Sequence, residues 1–328
     1  MSILILGGAG YIGSHTVYKL IDEGFHVVVA DNLQTGHIEA VHPDARFYQG
    51  DIRDGEFLDE VFRKERIDGV VHFAANSLVA ESMRAPLQYY NNNLYGTMVL
   101  LEAIVRNGVN NIVFSSTAAV YGEPERVPIM EGDKTQPTNV YGETKLAMEN
   151  MIRWTAQAHG LKYVALRYFN ACGAHVSGQI GEDHSPESHL IPLVLQVPNG
   201  KRDKIFMFGD DYPTADGTCV RDYIHVTDLA QAHVLAMKRL MDGGESDVFN
   251  LGNGVGFSVA DIVERARAVT GHPIPAVVEA RRPGDPAVLI ASNEKACKEL
   301  GWKPEFDDID TIIRTAWEWH KGHPDGYR

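Results

Sequence analysis

Short apolar runs alternate with stretches of helical spacing along the first 170 residues. Residues 2–6 form an apolar run, which is typical of a buried parallel strand. Residues 14–23 place apolar side chains at helical spacing before Gly24, and a second apolar run over residues 25–30 closes at Asp31. The order of strand, glycine-rich turn, helix and strand predicts one βαβ unit.

The same alternation continues further along the chain. Apolar runs that predict strands cover residues 46–49, 69–73, 111–115 and 163–168, and helical patterns cover residues 56–64, 94–107 and 141–159. This order predicts the α/β class, with a doubly wound, Rossmann-type parallel sheet. Because ligands of such folds bind at the carboxyl ends of the strands, residues 51, 73–77 and 115–117 mark the candidate site.

Beyond residue 170 the pattern predicts a smaller, discontinuous α/β domain. Residues 1–170 would form the first domain and residues 171–328 mainly the second. The amphipathic residues 227–241 predict a helix that returns to the first domain, within a segment near 222–250. Ser258 is a good N-cap for a helix, and we expect the tail after Lys321 to be frayed.

Composition disfavours several classes of function. The 328 residues carry a formal net charge of −14, which argues against a general nucleic-acid surface because polyanion binding usually rests on a basic field. We expect no membrane span, since no run of about 18 apolar residues exists, and no signal peptide. Three cysteines without C-x-x-C spacing predict neither a disulfide framework nor a zinc site, which favours the reducing cytoplasm.

The glycine-rich turn has the chemistry of a dinucleotide site. Gly7, Gly10 and Gly13 follow the first strand, where small residues allow a tight turn and let a pyrophosphate approach the amino end of a helix. Asp31 ends the second strand, as expected for an acid that binds the adenosine ribose. Asn32 follows with no arginine nearby for a 2′-phosphate, so the pattern favours NAD over NADP.

A tyrosine and a lysine stand four residues apart on a predicted helix. Tyr141 and Lys145 share one face, and an adjacent ammonium group together with a positive nicotinamide would favour the phenolate. A phenolate could then act as a general base near neutral pH. Ser115, Ser116 and Thr117 end a strand upstream and could offer a hydroxyl to the same substrate oxygen. Alone, a Y-x-x-x-K pattern is common on exposed helices; the preceding βαβ unit makes the catalytic interpretation the favoured one.

The fourteen histidines raise the question of a metal site. His175, His184 and His189 cluster in a loop-rich stretch, but no helical H-x-x-x-H or cysteine partner accompanies them. We therefore expect no metal, and we interpret His189 as a donor that lines a pocket.

The chain resembles the nucleotide-sugar 4-epimerases of the extended short-chain dehydrogenase/reductase family over nearly its full length. The resemblance rests on Gly7–Gly13, Phe73–Ser82, Tyr89–Gly96, Phe114–Gly122, Tyr141–Lys145, Arg167–Asn170, Phe208–Val226 and Arg281–Asp285. It implies an NAD-dependent isomerase of galactose metabolism that interconverts UDP-glucose and UDP-galactose. The route would be transient oxidation at C4 with tightly bound NAD, rotation of the 4-keto sugar and return of the hydride. It also implies that the first domain binds NAD, that the second mainly binds the nucleotide sugar, and that the predicted helices over 94–107 and 141–159 pair two subunits as a homodimer.

The resemblance also implies roles for individual residues. Catalysis would rest on Tyr141 as the base, on Lys145, which would bind the nicotinamide ribose and tune Tyr141, and on the hydroxyl of Thr117. NAD would be lined by Gly7, Gly10, Tyr11, Ile12, Gly13, Asp31, Asn32, Asp51, Ile52, Phe73, Ala74, Ala75, Asn92, Ser115, Tyr141, Lys145 and Tyr168. The UDP-hexose would meet Thr117, Tyr141, Asn170, His189, Leu190, Phe208, Arg221, Tyr223, Arg282, Asp285 and Leu289.

Two positions depart from some relatives and leave alternatives open. Ser77 stands where some carry a lysine against the cofactor ribose, which bears on how tightly NAD is held. Leu289 stands where some carry a bulkier tyrosine beside the sugar, so a UDP-N-acetylglucosamine or dual-specificity 4-epimerase remains an alternative. A 4,6-dehydratase would need an acid/base pair where this chain has Ala118 and Ala119. A net oxidoreductase is only weakly excluded, and the Tyr141/Lys145 pair disfavours a non-catalytic NAD-sensing protein.

Overall fold

The computed structural model describes residues 1–282 and 285–328. In its amino-terminal part the elements are β1 (Ser2–Leu6), α1 (Tyr11–Asp22), β2 (His26–Asp31), β3 (Arg46–Gln49), α2 (Gly55–Lys64), β4 (Gly69–His72), α3 (Val79–Arg84), α4 (Pro86–Tyr89), α5 (Gly96–Arg106), β5 (Asn111–Ser115), α6 (Val140–His159) and β6 (Lys162–Tyr168). They are followed by β7 (Asn170–Cys172), α7 (Leu190–Leu195), β8 (Ile205–Phe208), β9 (Val220–His225), α8 (Val226–Met241), β10 (Asp247–Leu251), β11 (Gly256–Ser258), α9 (Val259–Thr270), β12 (Ala276–Glu279), β13 (Val288–Leu289) and α10 (Ile309–Gly322).

A parallel sheet forms the centre of the molecule. Within the described ranges it has seven strands in the order β10-β6-β5-β4-β1-β2-β3. The strand order reverses between β1 and β4, which pair in parallel, and such a reversal opens a crevice at the carboxyl ends of the two strands. This confirms the predicted fold class and places the crevice beside the glycine-rich turn.

Two hydrophobic cores cover the two faces of this sheet because successive side chains of a strand point in opposite directions. Ile3 and Ile5 of β1 pack with α1 and α8 on one face. Leu4 and Leu6 of the same strand pack with α2, α5 and α6 on the other face. The apolar runs predicted from the sequence are therefore strands that are buried on both sides.

The remaining elements build smaller sheets and a third core. Strand β9 pairs with β7, β11 and β13, and β8 pairs with β12. Helices α7, α9 and α10 pack together through Val194, Ile262 and Ile313. Helix α8 follows β9 directly and packs on the large sheet, and β10 extends that sheet by pairing with β6.

The sequence predicts some elements better than others. The bounds of β1, β3 and β5 match the prediction, and Ser258 caps α9 through a reciprocal capping box with Asp261. The predicted helix over residues 94–107 begins instead as a π-helical turn over Tyr90–Tyr95 that continues into α5.

The carboxyl terminus differs from the prediction. The tail is not frayed, because the Tyr327 amide donates to Asp183 (3.1 Å) and its hydroxyl bonds to the backbone of Gly181. Among the described helices, none combines the length and the apolar character that crossing a bilayer requires.

Candidate active site

The turn between β1 and α1 is shaped by contacts that only glycine permits. Gly7 has φ +80°, and a Cβ there would lie 2.7 Å from the Ala74 amide nitrogen. A Cβ on Gly13 would lie 2.1 Å from the Gly7 carbonyl oxygen. Helix α1 begins at Tyr11 with Gly10 as N-cap and no side-chain cap. The backbone therefore comes close to the crevice with its first amides available, which fits the pyrophosphate of a dinucleotide.

Asp31 is fixed at the end of β2 by the same turn. Its carboxylate is buried and accepts hydrogen bonds from the amides of Ala9 (3.0 Å) and Leu33 (2.8 Å). Burial raises the pKa of Asp31, and these two hydrogen bonds oppose the rise. Each carboxylate oxygen accepts one of these bonds and keeps a further lone pair, so the side chain can still accept from a ribose hydroxyl.

An arginine that sequence reasoning missed lies beside this corner. Arg53 makes two hydrogen bonds to Asp51, at 2.8 and 2.7 Å, and Asn32 donates to the same carboxylate at 3.1 Å. The hydrogen bonds from Arg53 lower the pKa of Asp51. The expectation of no nearby arginine is therefore wrong. The preference for NAD is still sound physically, because all three guanidinium nitrogens of Arg53 already donate, two to Asp51 and one to Asn91.

Lys145 extends from α6 to the carboxyl end of β5. The residue is buried, and its Nζ donates to the Ser115 carbonyl oxygen at 2.8 Å rather than to Tyr141. Burial lowers the pKa of Lys145 to about 7. The hydroxyls of Ser115 and Tyr168 hydrogen-bond to each other at 2.5 Å, which ties the ends of β5 and β6 together.

Tyr141 occupies the first turn of α6. Asn139 caps the helix by accepting from the Gly142 amide (2.9 Å), and the Tyr141 amide donates to Ser82 Oγ (3.1 Å). Burial raises the pKa of Tyr141, and the neighbouring Thr117 side chain opposes this. The Tyr141 phenol and the Thr117 hydroxyl therefore converge, as a shared contact with one substrate oxygen would require.

Asn93 is a second residue that sequence reasoning missed. It is fully buried and accepts from the Asn76 amide (2.8 Å). Its amide group donates to Thr144 Oγ1 (3.0 Å), and the predicted NAD residue Asn92 donates to it (3.1 Å). Asn93 thus joins the segment after β4 to α6. The consecutive asparagines in the sequence were the available signal.

A buried ion pair joins α6 to β6. Arg167 on β6 donates to Glu149 at 2.9 and 2.5 Å, and both residues are less than one tenth exposed. Ser116 also donates to Glu149, and Arg167 donates to the Tyr121 hydroxyl at 2.9 Å. Glu149 lies one helical turn after Lys145, so this network holds that part of α6, and with it Lys145, in place against β6.

The predicted sugar-nucleotide residues gather around β9. Arg221 forms an ion pair with Asp285 and lies in register with Leu289 of β13. The Arg282 guanidinium stacks 4.1 Å from the centre of the Phe208 ring. Within the Arg281–Asp285 motif, residues 283 and 284 lie outside the described part of the chain.

The other residues predicted to bind the sugar nucleotide lie beside β9 or at the edge of the group around it. Asn170 donates to the Asp222 carbonyl (2.8 Å), and Tyr223 is buried in the third core. Leu289 packs against the hydrophobic cluster that contains Val120 and Tyr121. His189 Nδ1 faces Glu182 at 2.7 Å, an acidic partner that sequence reasoning did not foresee.

The strand ends bring most of the predicted NAD residues to one edge. Gly7, Asn32, Asp51 and Phe73 follow β1, β2, β3 and β4, and Ser115 and Tyr168 are the last residues of β5 and β6. Tyr11 adds a contact to the second part of the chain, because its hydroxyl donates to the Gly173 carbonyl at 2.6 Å. A doubly wound parallel sheet with a glycine-rich turn at its crevice is the arrangement of a dinucleotide-binding protein.

Comparison with known proteins agrees with this class. Residues 3–252 match the family model described as the NAD dependent epimerase/dehydratase family. A UDP-glucose 4-epimerase from Halalkalibacterium halodurans is 59% identical over 327 residues, covering 100% of this chain and 98% of the relative.

Solved structures give the same result. A crystal structure of UDP-glucose 4-epimerase matches with TM-score 0.99 and 60% identity over 100% of both chains. The structure of UDP-glucose 4-epimerase from Brucella ovis in complex with NAD matches with TM-score 0.94 and 48% identity, covering 96% of this chain and 97% of that one. The chain belongs to the NAD-dependent epimerase/dehydratase family, which confirms the predicted family and cofactor.

Proposed function

We propose that the chain interconverts UDP-glucose and UDP-galactose with bound NAD. The observation that carries the proposal is the proximity of Thr117 to the Tyr141 phenol, together with the buried Lys145 one helical turn further along α6. The similarity to UDP-glucose 4-epimerases over the whole chain supports the same reaction.

The reaction requires oxidation because the hydrogen at C4 of a hexose is not acidic. When bound, NAD supplies a reversible hydride acceptor. In the proposed sequence Tyr141 takes the proton of the 4-hydroxyl while C4 loses a hydride, which leaves a 4-keto sugar. After the sugar turns over, C4 regains the hydride on its other face and Tyr141 returns the proton. The site therefore restores both its redox and its protonation state.

Rotation of the sugar requires that binding energy come from the nucleotide. We assign this binding to Arg221 and Arg282, since guanidinium groups suit a diphosphate. The neighbours of the two arginines support this assignment, because Asp285 orients Arg221 and the Phe208 ring packs against Arg282. A loosely held hexose beside Thr117 and Leu289 could then turn without release of the substrate.

The test is to incubate the purified protein with UDP-galactose and no added oxidant or reductant. We expect UDP-glucose to form without a net change in NADH absorbance. Loss of water from the sugar would instead identify a 4,6-dehydratase, and stoichiometric NADH would identify a net oxidoreductase. The same assay with UDP-N-acetylglucosamine addresses the Leu289 alternative, because a leucine leaves more room beside the sugar than a tyrosine.

We further propose that residues 1–170, with the segment near 222–250, bind NAD and that the rest mainly binds the nucleotide sugar. We also propose that Ser77, an exposed residue that follows β4, affects how tightly NAD is retained. The amount of NAD that co-purifies with the original protein and with Ser77→Lys measures this retention. We expect the lysine variant to retain more NAD.

We also propose a cytoplasmic homodimer that pairs through α5 and α6. Apolar side chains on these helices support it, since Met98 is 42% and Trp154 is 57% exposed. Light scattering should give a mass twice that of the 36.3 kDa chain. Trp154→Glu should lower this measured mass. The three cysteines are free, which suits a reducing compartment, and cell fractionation tests the location.

A further inference from the structure

Four metal-ligating side chains meet in the segment between β7 and α7, outside the groups used above for catalysis. They are Glu182, His184, Glu187 and His189, whose ligand atoms all lie within 4.8 Å of one another. The two carboxylate side chains are buried, and the two imidazoles are partly exposed. The histidines alone gave no metal pattern in the sequence; the two glutamates complete one.

The four histidine-to-carboxylate distances in this cluster bracket the separation of ligand atoms around a small tetrahedral ion. Nδ1 of His189 lies 2.7 Å from Glu182 and 3.2 Å from Glu187. Nδ1 of His184 lies 3.1 Å from Glu182 and 3.6 Å from Glu187. A tetrahedral Zn²⁺ with bonds of about 2.0–2.1 Å holds its ligand atoms about 3.3 Å apart, which falls within this range.

The cluster is also preorganised by the main chain around it. The Glu187 carboxylate accepts from the amides of Ser188 and His189, both at 2.7 Å. On the other side, Tyr327 bonds to both backbone groups of Gly181. Supporting contacts of this kind hold ligands in place before an ion arrives.

The charges of the cluster are compatible with a divalent cation at this position. Two buried carboxylates share the cluster, and among the described residues neither forms an ion pair with lysine or arginine. The two imidazoles make the ion pairs with these carboxylates, and one divalent ion would displace their protons and neutralise both carboxylates instead. Two imidazole nitrogens and two carboxylate oxygens form a ligand set that suits Zn²⁺.

We propose that Glu182, His184, Glu187 and His189 form a zinc site with four protein ligands. Such a site is structural rather than catalytic, because four protein ligands leave no open position. The His184 ring lies 6.1 Å from that of Tyr11, and His189 is the N-cap of α7. The ion would therefore fasten this segment beside the proposed NAD site and fix the start of α7.

Metal binding by untagged, EDTA-treated protein tests the site directly. The probes are Zn²⁺, measured against a competing chelator, and Co²⁺, whose visible absorption reports tetrahedral coordination. We expect one equivalent of Zn²⁺ per chain and a rise of the melting temperature on its addition. His184→Ala and Glu187→Gln should each weaken binding at least tenfold and abolish the rise.

His175→Ala is the matched control, since this histidine lies in the same segment and bonds to Ser177 instead. It should bind Zn²⁺ like the original chain. Circular dichroism verifies that each variant is folded, and Glu187→Gln keeps the size of the side chain. Failure of the original protein to bind either ion, or equal affinity in all variants, would show that the cluster consists only of histidine–carboxylate ion pairs and would overturn the proposal.

Discussion

The proton chemistry proposed for this chain depends on the phenol oxygen of Tyr141. Tyr141→Phe should lower the rate of UDP-galactose conversion by about 10²–10⁴-fold, because general-base catalysis is lost while the ring remains. The melting temperature should change little. Tyr163→Phe is the control, since that residue lies near the amino end of β6, away from the crevice. Retained activity in Tyr141→Phe would refute the assigned base.

The buried Lys145 makes the free energy of unfolding depend on pH. Burial lowers its pKa to about 7 in the folded chain, against 10.5 in the ordinary state. Between these values the unfolded chain binds more protons, so the free energy of unfolding should rise with pH, by at most about 1.4 kcal/mol per pH unit. Below pH 7 both states are protonated and the cost of burial is complete.

Lys145→Met should remove this pH dependence and almost all activity. Relative to the original chain, the variant should be most stable at pH 6, and its advantage should shrink towards pH 10. Urea denaturation of nucleotide-free protein at several pH values measures the difference. A constant difference across this range would contradict the assigned shift.

At the level of elements, the β1–α1 turn depends on backbone contact. Gly13→Ala should abolish NAD retention and activity, because the added Cβ would lie 2.1 Å from the Gly7 carbonyl oxygen. Gly132→Ala is the matched control, since a Cβ there meets no atom within 4 Å. Bound NAD after purification, read from its absorbance, distinguishes them. Equal NAD content in both variants would exclude this turn as the binding element.

The packing of α6 on β6 depends on the Glu149–Arg167 ion pair. Glu149→Gln should cost about 3–5 kcal/mol of stability, because it leaves the buried Arg167 charge uncompensated. Asp59→Asn removes an exposed partner of Arg106 and should cost less than about 1 kcal/mol. Chemical denaturation measures both, and similar losses would show that burial is not decisive here.

At the scale of the whole molecule, the carboxyl terminus closes the structure onto the loop before α7. Removal of residues 326–328 should lower the stability by about 1–3 kcal/mol, because the hydrogen bonds of Tyr327 to Gly181 and Asp183 are lost. Removal of Arg328 alone, which is exposed, should have little effect. Melting temperatures compare the two. An unchanged value for the longer deletion would mean that the tail frays after all.

The predictability of each feature follows from the sequence separation of its contacts. The bounds of β1 and β5 could be predicted because five consecutive residues hold most of the signal for a buried strand. The Arg167–Glu149 pair spans 18 positions and the Tyr327–Gly181 contact spans 146. Polar residues at such separations have no periodicity that marks them as partners, so only the folded chain reveals them.

The alternation of strands and helices, the glycine turn and the Tyr141/Lys145 spacing could all be predicted from the order of the amino acids. These features depend on local hydrophobicity, backbone freedom and helical geometry, which neighbouring residues specify. Only the folded chain shows that Lys145 donates to Ser115, that Asp51 pairs with Arg53, and that two glutamates join His184 and His189. Charges and hydrogen bonds act through space, and the partner of each group is therefore fixed only by packing.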